Sequence, residues 1–170
     1  GRDVLNRLLV GTRVALLGVV EALLVVLVLG VPVGLAAGYF GGWFDRAVSR
    51  LLDLAFSLPG IIIVLLVLSV FPGSMLAGMT TFGVLAAPWF TRVVRSAVLP
   101  VKEQLYIAAA RVSGLSRTYI VVRHVLPRVA GPIIVQASLV AASALLVQTG
   151  LAFLGLVVAS PAPSWGGMVA

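Results

Sequence analysis

The chain of 170 residues has no cysteine, one histidine and only five acidic residues. The lack of cysteine excludes disulfide frameworks and thiolate metal sites. The single histidine, His124, has no second ligand at hand, so no metal site is expected. The chain also has only one lysine, Lys102. Because Glu103 follows it, the sequence contains no Gly-Lys-Ser/Thr phosphate loop. The sequence therefore predicts a chain that is not an enzyme, binds no cofactor and hydrolyses no ATP itself.

Apolar residues are what the chain has in abundance. They make up 61% of the sequence, against 10% charged residues. A water-soluble domain of this length cannot hide so much apolar surface, so lipid is the expected solvent. The net charge of +7 does not indicate nucleic acid, because the cations flank apolar runs and form no stripe with aromatic residues.

Four apolar runs approach the roughly 20 residues that a membrane-spanning helix needs. The expected spans are residues 14–40, 54–71, 75–94 and 131–156. No segments of alternating polarity suggest β-barrel strands. The prediction is an all-α integral membrane protein, a polytopic bundle with one transmembrane domain over residues 1–170. Because Gly1 is not an initiator, we expect an internal fragment of a longer protein.

The basic residues predict the orientation of the bundle. Nine lie in the two loops of one face: Arg46, Arg50, Arg92, Arg95, Lys102, Arg111, Arg117, Arg123 and Arg128. Only three, all near the N-terminus, belong to the opposite face. The long loop between the third and fourth spans is therefore expected in the cytoplasm, with residues 161–165 on the outer side.

That cytoplasmic segment, residues 102–127, is longer than a reversal of the chain requires. Its first part predicts a helix over 104–113 with one apolar stripe, formed by Leu105, Ala108, Ala109 and Val112. Gly114 suits a left-handed C-terminal cap, Ser116 suits the N-cap of a second helix, and Pro127 is expected to end that helix. The residues alone leave two interpretations open: a docking site for a partner, or a loop whose arginines contact anionic lipid.

Six ordered pieces of the sequence resemble one family. One is the pattern Ala109-Ala110, Gly114 and Leu126-Pro127, with its spacing. The others are residues 1–9, 38–46, 123–127, 154–155 and 161–166. Together they resemble the permease subunits of ABC importers, in the dipeptide, oligopeptide and nickel branch, and the pattern in the segment resembles the EAA loop of those permeases.

The resemblance implies a type I importer permease fold and a function for the segment as coupling helices. The coupling residues would be Tyr106, Ala108, Ala109, Ala110, Arg111, Gly114, His124, Leu126 and Pro127. It also implies a cell-membrane location and several partners: cytoplasmic ATP-binding subunits that carry ATP and Mg, a second homologous permease, an extracytoplasmic substrate-binding protein and membrane lipid. The cargo would be peptides or related small solutes. One departure is Ala108, where the family usually has Glu.

Two rival functions remain open from the sequence. One is a secondary transporter or channel without an ATPase, and the other is a non-transporting membrane scaffold. Ion coupling usually requires an ionisable group near mid-membrane, and only Glu21 approaches that position. Its depth of about two helical turns lets it reach interfacial water, which favours a structural role. We also expect Asp53 to pair with Arg50, three residues before it on the same helix.

Overall fold

The computed structural model describes residues 4–157 and 164–169, with side chains described from residue 7. Two of the sequence motifs lie partly outside these residues: residues 1–3 of the motif at 1–9, and residues 161–163 of the motif at 161–166. The described part contains helices and no strand. The helices are α1 (Val4–Phe40), α2 (Gly42–Phe56), α3 (Gly60–Val70), α4 (Met75–Lys102), α5 (Leu105–Val112), α6 (Arg117–Ile120), α7 (Leu126–Phe153) and α8 (Trp165–Val169).

Three helical stretches are long and apolar enough to cross a membrane: Arg7–Phe40, Met75–Lys102 and Arg117–Phe153. The second predicted span, 54–71, is not one straight helix. It contains the break at residues 57–59 between α2 and α3, whose axes differ by 74°. Pro59 accounts for the break, since it cannot donate to the carbonyl four residues earlier. Because α3 alone rises only about 16 Å, a fourth crossing requires the bent pair to count as one span.

The prediction that Pro127 ends the second short helix is wrong. A π-turn, Val121–Val125, joins α6 directly to α7, and Pro127 is the second residue of α7. The amide of Leu126 donates to the carbonyl of Val121, five residues back. A regular α-helix would press the carbonyl of Arg123 against the ring of Pro127, and the wider turn removes that conflict. The helix therefore continues from the segment after α5 into the last long helix, α7.

The described residues divide into two compact units. The first comprises residues 1–25, 58–86 and 139–170. One of its apolar clusters is built on Val19, Ala22, Met79 and Ala144, and another on Val64, Leu68, Leu151 and Val157. The buried amide of Gln148 donates to the carbonyl of Val14 at 3.1 Å. This bond joins α1 to α7 within the unit.

The second unit comprises residues 26–57 and 87–138, and its packing depends on a stripe of glycines in α1. Gly30, Gly34 and Gly38 recur at every fourth position and so lie on one helix face. A Cβ at Gly34 would lie 2.7 Å from the Cβ of Val94, and one at Gly38 would lie 2.7 Å from the Cβ of Val98. Only glycine lets α1 and α4 approach this closely, as in membrane helix pairs generally.

The long helices leave large apolar side chains exposed along their length. Examples are Leu24, Val28, Leu66, Leu139 and Leu146. On a water-soluble protein such a surface would be a liability, whereas lipid tails solvate it. The expected class, an all-α integral membrane protein, is confirmed.

Candidate functional site

The helix α5 is one residue shorter at each end than the predicted 104–113, with Gln104 and Ser113 as its caps, and its C-terminus ends in a hydrogen-bonded turn. Gly114 has φ +79°, in the left-handed region. The amide of Leu115 donates to the carbonyl of Ala110 at 3.2 Å, and that of Gly114 donates to Arg111 at 3.1 Å. This pair of bonds is the Schellman motif, which satisfies the last carbonyls of a helix and turns the chain away sharply.

One face of α5 is anchored and the opposite face is bare. Ile107 is fully buried, whereas the predicted stripe points away from the protein, with Leu105 88% and Val112 90% exposed. Ala108 and Ala109 between them are also exposed. The stripe of two large apolar residues and two alanines is therefore a thin, solvent-facing ridge held in place from behind.

The second half of the segment is fixed by its own cap and an aromatic contact. The hydroxyl of Ser116 accepts a hydrogen bond from the amide of Tyr119 at 3.3 Å, as predicted for an N-cap. The ring of Tyr119 lies edge-to-face with His124, their centroids 5.9 Å apart. His124 and Leu126 are half-buried, and Pro127 is exposed. These residues shape the entry to α7 and present no reactive group.

Two arginines in and after α5 stack on aromatic rings. The guanidinium of Arg111 lies 5.3 Å from the ring centre of Tyr39, and that of Arg128 lies 5.6 Å from the ring centre of Tyr106. Arg111 also donates to the carbonyl of Lys102 at 3.4 Å. Cation–π contacts of this kind contribute about 0.5–1 kcal/mol at exposed sites. They tie α5 to the end of α1 and to the start of α7.

Two ion pairs that the sequence did not reveal fasten the amphipathic helix α2 to α4. Asp45 accepts two hydrogen bonds from Arg95, the one from Nη2 at 2.7 Å. Asp53 pairs with Arg92 at 2.7 Å, so the expected pairing with Arg50 is wrong. Arg50, three residues before Asp53 on α2, does not pair with it, because Arg92 of the neighbouring helix α4 binds the same carboxylate. The only feature of the sequence that could have indicated these pairs is the presence of acidic residues in α2 and of arginines in the second half of α4.

Glu21 also has a partner within its own unit. Its carboxylate accepts a hydrogen bond of 2.6 Å from the hydroxyl of Thr80 in α4. This hydrogen bond offsets part of the free-energy cost of placing a carboxylate within a membrane-spanning helix, and it fits the structural role expected for Glu21. No group of three or more possible metal ligands occurs among the residues that the structure describes.

The site residues predicted from sequence thus gather in one continuous segment after α4. Tyr106 and Arg111 face the protein through their ring and guanidinium contacts, Ala108 and Ala109 face outward, and Gly114 forms the turn. The arrangement contains no nucleophile, no paired acid and base and no metal ligands. What it can do is bind a partner surface.

These features define a polytopic α-helical membrane protein in which two short helices, α5 and α6, join α4 to α7. A family model described as "binding-protein-dependent transport system inner membrane component" matches residues 30–170. The chain belongs to this family. The resemblance inferred from the motifs is confirmed at that level, and the chain is an inner-membrane component.

Individual relatives agree with the family. The chain is 35% identical over 169 residues to the glutathione transport system permease protein GsiD of Pectobacterium atrosepticum, covering 99% of this chain and 56% of the relative. The same figures describe its similarity to the dipeptide transport system permease protein DppC of Alkalihalophilus pseudofirmus. The chain therefore spans about half the length of the curated relatives it matches.

A solved structure supports the fold. The MetNI methionine ABC transporter, in an inward-facing conformation, superposes with a TM-score of 0.77 at 22% identity. The match covers 93% of this chain and 79% of that chain. At this identity the likeness shows the fold alone, and it agrees with the expected importer permease architecture.

Proposed function

We propose that the chain is the membrane-spanning part of a permease subunit in an ATP-driven importer. With a second, homologous permease it would form the translocation pathway. A cytoplasmic ATPase would bind Mg and hydrolyse ATP, and an extracytoplasmic binding protein would deliver the cargo. The names of the two relatives, one for glutathione and one for dipeptides, favour peptides or related small solutes as the cargo.

The observation that carries this proposal is the exposed ridge on α5. Burying Leu105 and Val112 in a partner is worth about 1.5–3 kcal/mol for each side chain, before the costs of association. The alanines at 108 and 109 leave the backbone of the helix open to close approach. The Schellman turn and the buried Ile107 hold the ridge in one orientation, so little ordering is needed when the ATPase groove closes around it.

The absent glutamate at position 108 fits this mode of docking. With alanine there, the contact is apolar along the whole ridge, and Arg111 is engaged by Tyr39 and the carbonyl of Lys102. The ATPase partner of this permease is therefore expected to present an apolar groove opposite Ala108 in place of a cation. A secondary transporter or channel would need no such ridge.

The test is to enlarge the ridge in the reconstituted full-length complex. Ala109→Trp overpacks the contact, at a cost of about 1–3 kcal/mol, and should uncouple ATP hydrolysis from transport. Val122→Trp, at an exposed position on the π-turn, is the bulky control and should leave coupling intact. The readouts are transport and the ATPase activity stimulated by the binding protein.

The opposite pattern would contradict the proposal. A ridge that merely lies on lipid predicts full activity for Ala109→Trp, because lipid accommodates an indole. Transport that continues in the absence of any ATPase would instead support the secondary transporter.

A further inference from the structure

A cavity of about 430 Å³ lies beside the coupling segment and is not explained by docking of the ridge. Its lining consists of Tyr39, Phe40, Arg111, Leu115 and Arg117. All five belong to the second unit: Tyr39 and Phe40 end α1, Arg111 lies in α5, and Leu115 and Arg117 lie in the following turn and at the start of α6. The volume lies in the range of small-ligand sites, which is about 300–1,000 Å³.

The electrostatics of the lining select an anion. It has two guanidinium groups and no carboxylate. The nearby acids Asp45 and Asp53 are engaged by arginines of α4. Arg111 and Arg117 form no ion pair among the described residues. Guanidinium groups match the oxygens of a phosphate group in both charge and geometry.

Tyr39 adds a second, independent observation. The residue is 7% exposed, and its hydroxyl is buried without a hydrogen-bond partner. A buried hydroxyl left unpaired costs about 1–3 kcal/mol, so such groups normally have a partner. Tyr39 lines the cavity, and a ligand oxygen that reached this hydroxyl would give it the partner that the protein does not provide.

The position of the cavity favours a lipid as the source of the anion. The charge distribution places the end of α1 at the cytoplasmic surface of the membrane. Phe40 and Leu115, both more than 40% exposed, supply apolar contacts next to the arginines. A free phosphate ion has no apolar atoms to make such contacts, whereas the glycerol and acyl carbons of a phospholipid can make them. We propose that the cavity binds the phosphate group of an anionic phospholipid of the cytoplasmic leaflet.

Lipid binding here is compatible with docking of the ATPase. Arg111 follows the buried Ile107 by four residues, so the two lie about 40° apart on the same face of α5. The ridge of Leu105 and Val112 lies on the other side of the helix and remains free. The bound lipid would fasten the turn after α5 to the end of α1.

The experiment uses the full-length permease pair with its ATPase, purified in detergent and stripped of lipid. Phosphatidylglycerol, phosphatidylcholine and inorganic phosphate are titrated separately, and native mass spectrometry measures the bound species. The double variant Arg111→Gln, Arg117→Gln should weaken phosphatidylglycerol binding about tenfold or more, since charged hydrogen bonds are lost. Tyr39→Phe should weaken it about fivefold. Arg50→Gln, which removes an exposed charge outside the cavity, is the matched control and should have no effect.

The single variant Arg117→Gln, at an exposed side chain, repeats the measurement if the double variant does not assemble. Phosphatidylglycerol binding that survives in both would overturn the proposal. If only inorganic phosphate binding depends on Arg117, the phosphate chemistry holds but the lipid source is refuted. If Arg117→Gln releases the ATPase without changing the bound lipid, the cavity serves a partner carboxylate and the lipid proposal fails.

Discussion

Substitution of Gly114 offers the sharpest test of the two-helix segment, because the structure isolates a single cause. The residue has φ +79°, and a Cβ added there would meet nothing within 4 Å. Steric conflict with neighbours is therefore absent, and only the backbone conformation is affected. Valine, with its branched Cβ, strongly disfavours the left-handed region, whereas asparagine tolerates it.

The magnitude follows from that conformational preference. An L-residue in the left-handed region costs about 1–2 kcal/mol, with β-branched residues at the upper end. This corresponds to a roughly 5- to 30-fold decrease in the equilibrium constant for forming the Schellman turn. The two capping bonds, from Leu115 to Ala110 and from Gly114 to Arg111, would be lost together. Affinity for the ATPase should fall by the same factor in Gly114→Val and by a few-fold at most in Gly114→Asn.

The assay is a titration of the purified ATPase onto the full-length permease pair in nanodiscs. Gly131→Val is the control, since Gly131 lies inside α7 and a Cβ there also meets nothing within 4 Å. It should bind the ATPase like the parent. Equal affinity of Gly114→Val and Gly114→Asn would refute the role of the turn, and a matching loss in Gly131→Val would attribute the effect to general damage.

Three further results are expected. Gly34→Val should lower the thermal unfolding midpoint of the complex, because overpacking costs about 1–3 kcal/mol and each kcal/mol lowers the midpoint by about 2–4 °C. An unchanged midpoint would contradict the close approach of α1 and α4. Asp45→Asn should increase hydrogen exchange in α2 more than Asp53→Asn does, since the first carboxylate accepts two hydrogen bonds and is less exposed; equal exchange would contradict this ranking. Single cysteines at Ser116 and Gly167, both exposed, should react with impermeant reagents from opposite sides of the membrane, and labelling of both from outside intact cells would overturn the orientation.

The features that sequence predicted well are those that depend on neighbours along the chain. The left-handed Gly114, the cap at Ser116 and the stripe of α5 each follow from local backbone chemistry or helical periodicity. Three of the four expected spans fall largely in helices that are long and apolar enough to cross a membrane, and composition over about 20 residues is enough to find them. No long-range information is needed for any of these.

The features that sequence missed depend on contacts between distant segments. Asp53 has a plausible partner three residues away, but the neighbouring helix α4 offers Arg92 in a better position. The stripe Gly30, Gly34 and Gly38 was visible as a four-residue repeat, although the repeat alone does not say which helix packs against it. The unpartnered hydroxyl of Tyr39 is invisible without coordinates.

Pro127 shows how a sound local rule can give the wrong architecture. If Pro127 had ended the helix, a non-helical break would separate α6 from the last long helix. The π-turn instead makes one helical stretch, Arg117–Phe153, that runs from the segment into the membrane. The only sharp turn between the ridge of α5 and that stretch is then at Gly114, whose bonds are complete. A partner that moves α5 would therefore act on the long helix both through this turn and through the contact of Arg128 with the ring of Tyr106, so Gly114→Val should weaken coupling as well as docking.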